Sequence, residues 1–297
     1  MAKKVTPKQT TSTVPSLIGV IHLPPLPGSP GANHLVATQA LQQAGLSAVK
    51  EAIQLQRSGF DAIILENFGD IPFYKSTVPP ETVASMAIIA AAVREAVKIP
   101  IGINVLRNDA PAALAIAAVV GADFIRVNVW SGVVATDQGM VEGQSAQWLR
   151  ERDRLNANDV QIFADVQVKH AQSLSSTSLS IAIEETAGRG GANAVIITGA
   201  TTGRSPDFSK IIEALQATRQ HPVPVYIGSG LDAKILQQLA VFLAEHQIKT
   251  QFVHAIVGSA LRKSGRAGAP LDNGRIKAFV AAWKKFKNSK APKKTKH

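Results

Sequence analysis

Eight short apolar runs, each stopping at a polar residue or a glycine, divide this chain. Leu17–Ile21 stops at His22, Ala62–Leu65 at Glu66–Asn67, Ile99–Ile103 at Asn104 and Phe124–Val127 at Asn128. Ile162–Ala164 stops at Asp165, Ala194–Ile197 at Thr198–Gly199, Val223–Ile227 at Gly228–Ser229–Gly230 and Val253–Val257 at Gly258–Ser259. Continuous Ile- and Val-rich runs suit parallel strands covered by helices, and helix-like stretches separate most of them. A doubly wound open sheet would use the same strands, but eight units spaced by roughly 30 residues favour closure into a ring. The expected fold class is α/β, a TIM (β/α)8 barrel in a single domain over residues 17–283, which a chain of 297 residues can supply. Closure puts all the strand ends around one mouth, so their polar residues read as a built site.

The connections carry the same rhythm. Leu46–Arg57 reads as a helix closed by Gly59, and Ser58–Gly59–Phe60–Asp61 leads into the next strand. Val120–Gly121–Ala122–Asp123 and Arg189–Gly190–Gly191–Ala192–Asn193 repeat that join. After the first strand, Pro24–Pro25–Leu26–Pro27–Gly28–Ser29–Pro30–Gly31 excludes helix and interior strand, and is expected as a stiff loop over the mouth. Ser131–Ser145 is Gly-rich, carries Asp137 and is expected as a lid, followed by a helix through Trp148–Leu155.

Charge is concentrated at the ends. Of 32 basic residues, Lys3, Lys4 and Lys8 precede the first strand, and Lys284, Lys285, Lys287, Lys290, Lys293, Lys294 and Lys296 close the chain. Without those ten, 22 basic residues face 21 acidic ones, so nearly all of the net +11 belongs to the ends. Residues 1–16 are expected as a flexible basic arm and 284–297 as a lysine-rich tail. Such ends either stay solvated or sit on an anionic membrane, and little aromatic interleaving supports nucleic acid as a partner. The absence of Cys excludes disulfides and thiolate metal sites. No apolar stretch reads as a signal peptide or a spanning helix.

Candidate chemistry falls into three groups. Gly228, Ser229 and Gly230 follow the seventh strand and Gly258 and Ser259 the eighth, where barrels bind phosphate through main-chain N–H groups; Gly199 after the sixth adds a flexible, hydroxyl-rich loop. Tight turns would need the same glycines. Glu66 and Asp165 are candidate acid/base groups, with Lys169, His170 and His22 as further proton carriers. Arg126 and Asn128 share one side of their strand and, with Asn104 and Asp137, complete a polar set that serves either a ligand or a self-satisfied plug. His22, Glu66 and Asp165 follow no metal-binding spacing, and neither metal nor cofactor is expected.

Long segments of the chain resemble the BtpA family: His22–Gly28, Glu66–Phe73, Gly102–Asp109, Phe124–Asn128 and Asp165–Ala171, then Thr198–Gly199, Gly228–Gly230 and Ile256–Ser259, in order, over about Leu17 to Trp283. The resemblance implies a phosphate-binding TIM barrel. It implies for cyanobacterial members a role in photosystem I biogenesis, promoting accumulation or stability of the reaction-centre proteins from a peripheral position on the cytoplasmic face of the thylakoid. Relatives in organisms without photosynthesis imply small-molecule chemistry on sugar or nucleoside phosphates. Whether the chain is an enzyme stays open here, as does a homo-oligomeric state. The partners expected are photosystem I reaction-centre proteins or their assembly intermediates, an anionic membrane surface and a phosphorylated small molecule.

Overall fold

A computed structural model describes residues 14–32, 36–166, 171–174, 177–198 and 206–289. In chain order its elements are β1 (Leu17–His22), α1 (Ala37–Ser58), β2 (Ala62–Glu66), α2 (Pro80–Ala96), β3 (Ile101–Asn104), α3 (Ala110–Val120) and β4 (Phe124–Val127). Then come β5 (Val133–Thr136), β6 (Gly139–Glu142), α4 (Ser145–Arg154), β7 (Gln161–Val166), β8 (Ala171–Ser173) and α5 (Leu179–Ile183), which runs on as a π-helical turn over Glu184–Arg189. β9 (Ala194–Ile197), α6 (Phe208–Ala217), β10 (Val225–Ile227), α7 (Ala233–Glu245), β11 (Val253–Val257) and α8 (Asn273–Lys287) complete the chain. The barrel closes in the order β1-β11-β10-β9-β7-β4-β3-β2, every pairing parallel. The expected TIM barrel is therefore the fold, in one domain. Among the described residues, no helix is long and apolar enough to cross a membrane.

Period-two alternation builds the interior. Ile18 and Val20, Ala62 and Ile64, Phe124, Phe163, Ala194 and Ile196, Tyr226 and Ile256 point to the axis as one apolar cluster. Phe124 stacks on Phe163 at 4.5 Å, Phe163 meets Tyr226 at 5.0 Å, and Tyr226 meets His254 at 5.0 Å. These rings fill the barrel; Gly102 has no side chain because a Cβ there would collide with the Phe124 ring. One step further along each strand, the same alternation brings His22, Glu66, Asn104, Arg126, Asp165, Thr198, Gly228 and Gly258 to the axis at the mouth end. The residues between them pack outward against the helices in the larger core cluster.

Four local features differ from expectation. α1 starts at Ala37, because Ala37–Ala44 is helix-forming and Gly45 is carried inside the helix. Ser131–Ser145 is not a loose loop: β5 and β6 form an antiparallel hairpin with Thr136 paired to Gly139, and β5 also pairs with β8. Val134 and Val141 of the hairpin pack with Val129, just past β4, which ties the hairpin to the barrel rim. The proline loop lies against the loop after β2, where the Leu26 N–H donates to Asp70 at 2.8 Å and the Gly69 N–H to the Leu23 carbonyl at 3.0 Å; its residues do not line the mouth cavity. Finally, α8 runs past Trp283 to Lys287 and buries Phe286.

Candidate functional site

The mouth holds a cavity of about 220 Å³. His22, Glu66, Arg126 and Asn128 line one part of it, and Gly228, Ser229, Gly230, Gly258 and Ser259 another. Residues from the ends of five different strands thus converge as the sequence suggests, while Asp165 and Asn104 are buried beside them and do not line the cavity. Asp137 is on the turn between β5 and β6 and is one of the charges acting on Arg107. Lys169, His170 and Gly199 lie outside the described residues.

Around Asp165 lies a buried hydrogen-bonded network in which the Asn104 Oδ1 alone lacks a partner. Arg126 Nε and Nη2 donate to Asp165 Oδ1 and Oδ2, both at 3.0 Å, and Asn128 Nδ2 donates to Oδ2 at 3.1 Å. Asn104 Nδ2 donates to the Arg126 carbonyl at 3.0 Å and to Asn128 Oδ1 at 3.2 Å. The Asp165 side chain is wholly buried. Burial opposes the charge on Arg126, but Asp165, with a smaller contribution from Glu66, more than offsets it and raises its pKa. A bidentate, fully desolvated pair of this kind fixes the guanidinium plane and is costly to break.

Glu66 has different surroundings. Its carboxylate stands 4.0 Å from Arg126 Nη1, beyond hydrogen-bond reach, and faces the cavity. His22 is its register partner on β1, so both side chains stand side by side at the mouth. The His22 ring lies 4.6 Å from the Phe68 ring, and its Nδ1 accepts the Gly268 N–H at 3.3 Å. That bond places the proton of the neutral ring on Nε2. Gly258 lets the ring approach: a Cβ there would come within 2.9 Å of His22 Cε1.

The glycine segments divide their work. The Gly228 N–H is used by the Ile197 carbonyl at 2.9 Å, and a Cβ at 228 would press on Ile196 and Thr198, so that glycine serves packing. Gly230 has φ +77°, the left-handed region, and turns the chain into Leu231. Ser229 and Ser259 bring hydroxyl groups to the same cavity. β10 and β11 are the seventh and eighth barrel strands, whose following loops bind phosphate in many barrels.

Arg107 is the group that pattern reading misses. It is 7% exposed, lines the cavity with Leu106 and Phe73, and has its pKa lowered by burial against the pull of Asp165, Asp137 and Glu66. The signal is in the sequence: a cation three residues past the strand-end Asn104, in the segment already matched as Gly102–Asp109. Asn67 positions this loop, its Oδ1 accepting the Leu106 N–H at 2.7 Å, and Asp109 caps α3 through the Ala112 N–H at 2.9 Å. Among the described residues, no three His, Asp or Glu side chains come together as a metal ion would require.

The geometry defines a class first: a closed (β/α)8 barrel whose mouth combines a buried arginine–aspartate base, an open carboxylate, and glycine–serine loops suited to an anion. The model of the BtpA family matches residues 13–285, and the chain belongs to that family. It is 42% identical to the photosystem I biogenesis protein BtpA of Synechocystis, over 97% of this chain and 94% of that protein. An uncharacterised protein of Pyrococcus abyssi is 49% identical over 73% of this chain and 80% of its own length, and a Caenorhabditis elegans protein described as mitochondrial is 32% identical over 93% and 95%. Phosphoribosylanthranilate isomerase from Thermotoga maritima superposes with a TM-score of 0.52 at 11% identity, covering 92% of this chain and all of that one. Dihydropteroate synthase from Vibrio fischeri gives 0.51 at 13% identity, with coverage of 93% and 94%. At such identities these structures speak for the barrel and for nothing finer.

Proposed function

We propose that this protein is a photosystem I biogenesis factor, promoting assembly or stability of the reaction-centre proteins while held peripherally on the cytoplasmic side of the thylakoid membrane. The observation that carries this reading is the 42% identity to the Synechocystis protein across nearly the full length of both chains. Its partners on this reading are the reaction-centre proteins or their assembly intermediates and an anionic membrane surface. Deleting the gene in its host and measuring reaction-centre polypeptides of both photosystems tests it. The expected result is loss of photosystem I subunits with photosystem II retained. Unchanged photosystem I would sink the proposal.

The mouth favours a second reading, an enzyme or ligand site for a phosphorylated small metabolite. Relatives in an archaeon and a nematode support a role for the barrel that needs no photosystem. On this reading Ser229, Gly230, Gly258 and Ser259 hold the phosphate, Arg107 adds charge, and Glu66 with His22 moves protons at the other side of the cavity. Asp165, with both oxygens engaged, keeps Arg126 in place. Titration with inorganic phosphate and ribose 5-phosphate tests the site, with Ser229→Asp as the variant, since Gly258→Asp would also collide with His22. Binding that Ser229→Asp abolishes supports the reading; equal binding by the variant, or none by the parent chain, removes it.

A further inference from the structure

The described chain begins and ends on one face of the barrel, the end opposite the mouth. Strand β1 starts at the end opposite the mouth, and the Pro15 carbonyl is held there by Tyr226 Oη at 2.6 Å. Helix α8 returns to the same end, where Gln251 Nε2 donates to the Lys287 carbonyl at 3.1 Å, just ahead of β11. In the sequence, Lys3, Lys4 and Lys8 precede the first of these described ends and Lys290, Lys293, Lys294 and Lys296 follow the second. Lys284 and Lys285, in the last turn of α8, are exposed at this end. Lys287 is not part of this set, because its ammonium turns inward to the Gln251 and Val253 carbonyls at 3.0 and 2.9 Å. Of the acids near the face, Asp61 accepts the Ser16 and Leu17 N–H groups and Asp123 pairs with Arg94 at 3.1 Å, while Glu245 at the end of α7 is exposed and offsets part of the positive charge.

The same face carries a second cavity, about 460 Å³, between the end of α6 and the segments leading into β10 and β11. Leu215, Pro224 and Ile248 make its wall apolar. Phe252 stands at the rim, 60% exposed, and the exposed Arg219 and Lys249 flank it. The ring stack from Phe124 to His254 fills the axis between the two cavities, so this is a separate surface from the mouth.

We propose that this face is the membrane-docking surface, lying on an anionic bilayer with Phe252 at the interface, Arg219, Lys249, Lys284 and Lys285 over the headgroups and the mouth turned to the aqueous phase. The proposal rests on the peripheral-membrane part of the function proposed above and adds which side of the molecule docks. An exposed aromatic beside basic side chains is what an anionic interface binds, the apolar part entering the headgroup–acyl boundary and the charges meeting the lipid phosphates. Nucleic acid would use the lysines but leave the apolar cavity wall uncovered.

The chain has no Cys, so single reporters can be placed in the full-length protein. An environment-sensitive dye on Gln247→Cys, beside the second cavity, is compared with the same dye on Met140→Cys, on the mouth-side hairpin. With mixed phosphatidylglycerol–phosphatidylcholine vesicles the Gln247 reporter is expected to shift to the blue and the Met140 reporter to stay put. Phosphatidylcholine alone should shift neither. Phe252→Asp, and separately removal of residues 290–297, should each weaken vesicle binding by about tenfold or more, with unchanged melting temperature. A shift at Met140, no shift at either site, or RNA capture in place of vesicle binding overturns the proposal. The deletion strain separates the two ideas: photosystem I loss without vesicle binding sinks only the docking face, and vesicle binding with normal photosystem I sinks only the biogenesis reading.

Discussion

Asp165 and Glu66 end two strands of one barrel, β7 and β2, with β4 and β3 between them, and burial with hydrogen bonding decides what each can do. Asp165 has both oxygens on Arg126 and no exposure, so Asp165→Asn would leave a buried guanidinium with only Glu66 at 4.0 Å. The expected loss is about 3–5 kcal/mol of stability, read from denaturant midpoints. Glu66→Gln removes a charge that makes no close hydrogen bond, and about 1 kcal/mol or less is expected, with ligand binding or turnover carrying the larger effect. Equal destabilisation by the two variants would return Glu66 to the structural plug. His254, at the opposite end of the axis, gives a pH signature. Burial, then the Lys287 ammonium, lowers its pKa to about 4, against the hydrogen bond to Pro15. An unfolded histidine titrates near 6.5, so stability from this residue is complete above that pH. It is lost progressively as pH falls from 6.5 towards 4, by at most about 3 kcal/mol, and is flat below. His254→Gln should remove that part of the slope; an unchanged slope would assign the acid sensitivity to other groups.

Helices and strands follow their local chemistry closely, with instructive exceptions. The strand ends are legible because a polar residue on the axis side of a buried strand has only the mouth to face, as with His22, Glu66 and Asn104. The hairpin of β5 and β6 is not legible, because Val133–Thr136 is four residues long and its stability comes from pairing with β8, well separated in sequence. The early turns of α1 are hidden for a different reason: Gly45 interrupts an otherwise helix-forming stretch. That glycine has open space around its missing Cβ and no positive φ. Gly45→Ala should therefore stabilise the protein by about 0.5–1 kcal/mol, chiefly by restricting the unfolded chain. A lower melting temperature in Gly45→Ala would mean that α1 needs a break there.

Across the molecule, the barrel sets two distinct surfaces at opposite ends, the mouth cavity and the cavity beside Phe252. The mouth set of His22, Glu66, Arg126 and Asn128 is legible from strand endings, whereas Arg107 is not, since its burial depends on how the loop after β3 folds back towards Asp165 and Asp137. The second cavity is equally hidden, because it is assembled from three connections whose residues are ordinary in sequence: Leu215, Pro224 and Ile248. This division makes complementation of the deletion strain informative. If photosystem I biogenesis needs the ligand site, Glu66→Gln should fail to restore photosystem I subunits although the protein accumulates normally and still binds vesicles. If it needs only placement at the membrane, Glu66→Gln should restore them, and the chain lacking residues 290–297 should not. The readouts are photosystem I content, cellular level of the variant and its membrane fraction, measured together. Restoration by both variants would place the working surface on the helices that wrap the barrel, away from the mouth and from the face that carries the lysines.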